Sequence, residues 1–331
     1  MKKVINNPEF VVEEMLEGMI YAYPQYIKKV DNANVLVRKN LKADKVTLVS
    51  GGGSGHEPSH AGFLGEGMLD GAVAGAVFTS PTPDQIYEGI KAIANDSGVL
   101  LIVKNYTGDV MNFDMAKEMA EMEGIKVDSV IVNDDVAVEN STWTIGRRGI
   151  AGTVFVHKIA GAKAEIGATL EEVKAVAEKV INNVRSMGMA LTPCIVPAAG
   201  KPNFTLDENE MEIGMGIHGE PGTHREELKS ADEIVIHLMD KILADMNLKE
   251  EDEVAVLING LGGTPLMEQL IINRKVHKIL EEKKISAYKT IVGEYMTSIE
   301  MSGFSISLLK VDEELKTLLD AKADTPAFKQ L

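Results

Sequence analysis

The sequence predicts an α/β protein of two mixed α/β domains, the first with a largely parallel sheet flanked by helices. Three observations lead there. Short aliphatic, β-branched runs alternate with segments of helical period through the first half of the chain. Glycine-rich or polar loops follow three of those runs directly, as they do at the carboxyl ends of parallel strands. The length of 331 residues exceeds the usual size of one hydrophobic core, and about 150 residues per domain gives two.

Residues 10–30 carry Val11, Val12, Met15, Met19 and Ile20 at helical spacing. Residues 45–50 form a β-branched run that reads as a buried strand stopped by glycines. Residues 71–78 read as a second strand, whose small side chains allow close packing. Pro83 sits in the first turn of a helix over 83–95, with Ile86, Ile90 and Ile93 on one face. The clearest strand is 99–103, followed by a helix over 112–123, a strand over 126–132, and helices over 147–165 and 169–187. Proline-marked segments between 186 and 205 interrupt both periods, which divides the chain into domains 1–185 and 186–331. The second domain is expected to hold a strand ending near Ile217, a helix at 230–246 and a strand at 253–258. A helix at 264–283, strands at 288–296 and 303–310, and a helix at 312–321 complete it.

Composition narrows the function. An apolar fraction of 45% and a charged fraction of 25% are those of an ordinary globular protein. Thirty-four basic against 50 acidic residues give a net charge of −16, which disfavours nucleic acid or an anionic membrane as a general partner. No apolar run approaches the roughly 18 residues of a membrane span, and Lys2 and Lys3 precede no signal-like segment. Cys194 is the single cysteine, so neither an internal disulfide nor a cysteine zinc site is available; a reducing cytoplasm is expected. The Asn140-Ser-Thr sequon carries no weight without a signal peptide.

Four loops carry the chemistry. Gly51-Gly-Gly-Ser-Gly-His-Glu-Pro58 lets backbone N–H groups approach a ligand, yet lacks the Lys-Ser/Thr of a nucleotide loop and the Gly-x-Gly-x-x-Gly of a dinucleotide turn. Thr79-Ser-Pro-Thr-Pro-Asp84 reads as a helix start with Ser80 or Thr82 as cap. Lys104-Asn-Tyr-Thr-Gly-Asp109 puts a cation and a carboxylate just past a buried strand, Asp109 being either a site residue or a helix N-cap. Gly214-Met-Gly-Ile-His-Gly-Glu-Pro-Gly222 leaves the ring of His218 accessible among glycines. A zinc reading would use His56, His60, His218 and nearby acids. The His-x-x-x-His spacing at 56–60 needs a regular helix, and Pro58 lies inside it, so no metal site is expected.

Taken together and in this order, the four loops closely resemble the substrate-binding subunit of bacterial dihydroxyacetone kinase. Gly146-Arg-Arg-Gly-Ile-Ala-Gly152 and Asn259-Gly-Leu-Gly-Gly263 extend the likeness along essentially the whole chain. The resemblance implies two α/β domains, a homodimer, and dihydroxyacetone held as a hemiaminal on a histidine nitrogen, by motif match His218. It maps substrate binding onto Gly53, Ser54, Gly55, His56, Lys104 and Asp109, with His218, His56 and Asp109 catalytic. A neutral imidazole can add to a ketone, which a polyol does not offer. His56 is expected to donate to the ketone oxygen as general acid, and Asp109 to take the proton of the attacking hydroxyl.

No cofactor is expected on this chain. The resemblance places ADP or ATP with magnesium on a separate nucleotide-binding kinase subunit, rephosphorylated through a phosphotransferase-system phosphocarrier using phosphoenolpyruvate. A competing reading is a non-catalytic paralogue that binds dihydroxyacetone through the same histidine and co-activates a transcriptional regulator. His56 and Asp109 favour the enzyme, because a sensor has no need of an acid/base pair.

Overall fold

In the computed structural model, which describes residues 2–138 and 146–331, two six-stranded sheets alternate with three layers of helix. The Asn140-Ser-Thr sequon lies outside the described residues. The first sheet holds β1 (Ile27–Lys29), β2 (Val35–Arg38), β3 (Thr47–Ser54), β4 (Gly71–Val77), β5 (Val99–Lys104) and β6 (Val127–Val132) in the order β1-β2-β4-β3-β5-β6. β4, β3, β5 and β6 are mutually parallel, and β1 and β2 add an antiparallel edge. The second holds β7 (Val184–Ala190), β8 (Glu210–Ile213), β9 (His224–Glu227), β10 (Glu253–Gly260), β11 (Ser286–Gly293) and β12 (Gly303–Lys310) in the order β11-β10-β12-β7-β8-β9. There only β10 and β11 run parallel.

The two-residue period of the strands divides their side chains between layers. Leu48, Leu100 and Ile102 face inward, while Val49, Leu101 and Val103 join the outer core with α2 (Pro83–Ile93) and α3 (Thr107–Met122). Ala255 and Leu257 likewise face inward, and Val254, Val256 and Ile258 pack against α6 (Ala231–Asp245) and α7 (Leu266–Glu282). The inner layer is α4 (Thr153–Glu165), α5 (Leu170–Asn183) and α8 (Glu313–Asp320), with α1 (Val11–Ala22) at its side. One apolar cluster runs from the first sheet through these helices to the second. The expected division after residue 185 falls inside β7.

Several expected boundaries move. β3 does not stop at its glycines but runs through them to Ser54, because β4 pairs with the glycine backbone on one side. The helix expected from 112 begins at Thr107, and the one expected from 147 begins at Thr153. The helix expected to reach 187 ends at Asn183, where β-branched Val184 opens a strand. The strand expected to end near Ile217 ends at Ile213, and β1, β2 and β9 went unread. Strands of three or four residues carry too little period to be seen.

Candidate functional site

The site lies where the carboxyl ends of the first sheet meet loops of the second half, the place a parallel sheet offers for ligands. A pocket of about 870 Å³ is bordered by Gly53, Ser80, Tyr106, Asp109, His218 and Glu220 among others.

β3 delivers the glycine run without side chains, and this is required. A Cβ on Gly52 would stand 2.4 Å from Lys104 Nζ, and one on Gly53 would stand 2.5 Å from Thr79 N. Into the space this frees, β5 sends Lys104, fully buried, whose Nζ donates to Gly51 O and Asp109 Oδ2, each at 3.2 Å. Asp109 stands in the first turn of α3, and the N-cap is Tyr106, so the capping alternative for Asp109 is set aside. Ser80 does not cap α2 either; that position is Thr82. Its hydroxyl instead donates to Asp109 Oδ1 at 2.5 Å. Asp109 therefore holds an ammonium on one oxygen and a hydroxyl on the other.

The turn after β3 is fastened from the other half. Thr297 N–H donates to His56 O, Ile299 N–H donates to Gly55 O, and the Glu57 carboxylate accepts from Gly55 N–H. His56 is fully buried, stacked on Phe78 at 5.2 Å between centroids, with Nδ1 2.8 Å from Thr297 O. A carbonyl oxygen only accepts, so Nδ1 carries the ring's proton. Burial, then the charges of His218 and Lys104, push its pKa well below the ordinary histidine value, so the ring stays neutral. Its Nε2 is then a bare acceptor, and it has no hydrogen-bond partner. The expected general-acid role of His56 does not match this tautomer: in its resting state the ring offers Nε2 as a hydrogen-bond acceptor.

His218 meets the ring of His56 edge-on at 4.6 Å and that of Tyr106 at 4.5 Å. Its side chain is 18% exposed, which leaves one edge open to the pocket. Nδ1 faces Glu220 Oε1 at 3.7 Å, and the backbone N–H donates to Glu220 Oε2 at 2.8 Å. Glu220 also accepts from the Tyr106 hydroxyl and lies 3.8 Å from Arg148 Nη1. Its pKa sits at about 2: burial opposes the charge, and the neighbouring His218 side chain and the Arg148 guanidinium outweigh that. A Cβ on Gly216 would fall 2.2 Å from Glu220 Oε1, so the loop glycine is what admits this carboxylate. Asn203 completes the support, donating from Nδ2 to His218 O.

Chemically, a carboxylate beside Nδ1 favours the proton there, which would leave Nε2 with its lone pair available to a ligand. The structure thus brings Gly53, His56, Lys104, Asp109 and His218 into one place; Ser54 is buried below it, donating to Gly75 O, and Gly55 turns the chain at φ +104°. His56, His60 and His218 do not form a metal ligand set, since His60 Nδ1 lies 3.0 Å from His157 Nε2. Ser80, Tyr106, Asn203, Glu220 and Thr297 were missed. The Gly-Glu-Pro run after His218 was a visible signal for Glu220, whereas Thr297 lies 241 residues from its partner and left none.

Glu220→Gln tests the orienting role. The amide keeps size but loses the charge that favours an imidazolium, so covalent addition to His218 is expected to slow by about tenfold or more, equivalent to about 1.4 kcal/mol. Stopped-flow or timed mass spectrometry reads this, and an unchanged rate removes Glu220 from the mechanism.

Fold and site together define an α/β protein with a partly exposed histidine at a pocket between two sheets. The chain belongs to the Dak1 domain family, whose model matches residues 17–327. It is 53% identical over 329 residues, 99% of this chain and 100% of the relative, to the PTS-dependent dihydroxyacetone kinase 1, dihydroxyacetone-binding subunit DhaK of Listeria innocua. Among solved structures, the dihydroxyacetone kinase operon co-activator Dha-DhaQ matches with a TM-score of 0.91 and 36% identity, covering 96% of this chain and 98% of that one. The dihydroxyacetone kinase from C. freundii in complex with AMP-PNP and Mg2+ matches at 0.90 and 35% identity, covering 99% of this chain and 61% of that one. Among the described residues no helix is long and apolar enough to cross a membrane.

Proposed function

We propose that this chain is the dihydroxyacetone-binding subunit of a multi-subunit, phosphoenolpyruvate-driven dihydroxyacetone kinase, working in the cytoplasm as a homodimer. The carrying observation is His218, partly exposed to the pocket with a charged carboxylate beside Nδ1. Nε2 adds its lone pair to the ketone carbon, and the C=O π pair moves onto oxygen. The Nδ1 proton of the resulting imidazolium, stabilised by Glu220 and relayed through water, ends on that oxygen, so the hemiaminal is neutral. His56 Nε2 accepts a hydrogen bond from the new hydroxyl. Asp109, steadied by Lys104 and Ser80, accepts the proton of the terminal hydroxyl as it attacks phosphorus, giving dihydroxyacetone phosphate. Halves 1–185 and 186–331 each supply part of this site.

The nucleotide and its magnesium belong on a partner subunit in this reading, recharged by a phosphocarrier. The glycine run is filled by Lys104 Nζ and ends in a buried histidine, leaving no cradle for a triphosphate. Calorimetric titration of this chain with MgATP is expected to give no heat of micromolar binding; a clear one-site isotherm would move the donor onto this chain.

The second reading, a dihydroxyacetone-binding co-activator, is favoured by the near-complete overlap with the co-activator Dha-DhaQ. One experiment separates the two: this chain is mixed with its candidate nucleotide-carrying subunit, and dihydroxyacetone phosphate is followed with phosphoenolpyruvate and the phosphocarriers, or with ATP. Product formation supports the kinase subunit. Substrate capture with no product from either donor supports the co-activator.

A further inference from the structure

We infer that His224, Glu226 and His237 form a binding site for a divalent first-row transition-metal ion, zinc in particular, at the free edge of the second sheet. The site is separate from the pocket, and the inference does not rest on the function proposed above. β9 closes the sheet on that side, and its two-residue period puts His224 and Glu226 on one face of the strand. His237 comes from α6. The two imidazole rings lie 5.5 Å apart at 28°, His237 Nδ1 is 3.5 Å from Glu226 Oε1, and one ligand atom from each residue lies within 4.8 Å of the others. Zinc bonds of about 2.0–2.2 Å bring tetrahedral ligand atoms about 3.3 Å apart, a closure that small side-chain rotations supply.

Two further features point to a cation. Glu226 divides its oxygens: Oε2 accepts from Lys229 Nζ, while Oε1 is buried and has no hydrogen-bond partner. A desolvated carboxylate oxygen left in that state is costly, and a metal ion satisfies it. His224 has a hydrogen-bonding neighbour behind it. Thr223 Oγ1 lies 2.9 Å from His224 Nδ1 and can accept its N–H while donating to Ile213 O. In that tautomer Nε2 is left to ligate, the arrangement in which an outer hydrogen bond orients a metal-binding histidine. Arg225, between the two ligands, turns to the opposite face and pairs with Glu212.

Two nitrogens and one oxygen suit zinc and leave a fourth position for water. β9 begins two residues after the His218 loop closes at Gly222, so a bound ion would tie the exit of that loop to α6. The plain alternative is an ion pair between protonated His237 and Glu226, which needs no metal.

The test uses the full-length protein, stripped with chelator and dialysed. Zinc is titrated against a chromophoric chelator, and cobalt(II) is titrated as a spectroscopic probe. One equivalent of zinc per chain is expected, with the intense visible bands of four-coordinate cobalt. His237→Ala and Glu226→Gln each weaken zinc by at least about tenfold, since loss of even an outer-shell partner costs that much. His277→Ala, outside the cluster, leaves binding unchanged. Absence of zinc uptake by the wild-type chain at micromolar levels overturns the site, as does uptake that both cluster variants retain. The wild-type cobalt spectrum decides independently of how the variants fold: six-coordinate, pale cobalt rules the site out.

Discussion

His218→Ala is expected to abolish the mass gain of one dihydroxyacetone per chain that is expected of the wild-type protein under mild ionisation. The expected effect is all-or-none, because among the described residues lining the pocket no other imidazole nitrogen combines access with a neighbouring carboxylate. His56 is the nearest imidazole, 4.6 Å away between ring centroids, but it is fully buried and stacked on Phe78. The substitution removes a ring that is already partly exposed, so folding should survive it. Intact-protein mass spectrometry after borohydride-free incubation reads the adduct directly. An adduct retained by the alanine variant would transfer the nucleophile to another residue, and His56 Nε2 would be first in line.

Asp109→Asn is expected to keep that adduct and lose most phosphoryl transfer, by about 10²- to 10⁴-fold, when the donor subunit is supplied. A helix-capping role predicted no change, and the position of α3 removes it, since Asp109 lies inside the first turn. The variant carries a second consequence. Lys104 is fully buried, and Asp109 is its one carboxylate partner among the described residues. Removing one member of a buried pair costs about 3–5 kcal/mol of stability, so the melting temperature should fall as well. Turnover and melting are measured on the same preparation. Normal turnover with a lowered melting temperature would make Asp109 a structural anchor of Lys104 and shift weight to the co-activator reading.

The parts of the molecule that a linear reading could reach are those governed by local pattern. The alternation of Leu48 with Val49 and of Leu100 with Leu101 between two cores is visible only as an unbroken apolar run, yet that run suffices to mark a doubly covered strand. The glycines after Ser50 looked like a stop because glycine interrupts most strands; here the space they leave is filled by Lys104, a tertiary fact. His56 and His218 were legible from their glycine settings. What could not be read was the tautomer of His56, because it is fixed by a carbonyl 241 residues away. Ser80 and Thr82 were both candidate caps, because either residue before a helix can cap; Thr82 takes the position, and Asp109, from the next helix, claims the Ser80 hydroxyl. His224 and His237 carried no pattern at all, since a strand and a helix must meet before they form a cluster.

The turn that carries His56 is bolted down by Thr297 and Ile299, whose own segment joins β11 to β12 in the other sheet, while His218 reaches in from a third segment beside β8. The inner helices serve both sheets at once. Such a protein is a single unit of inheritance. A cut between the sheets would leave His218 without its facing His56, and the glycine turn without its anchor. A break between the two sheets is therefore expected to cost the whole site and not half of it.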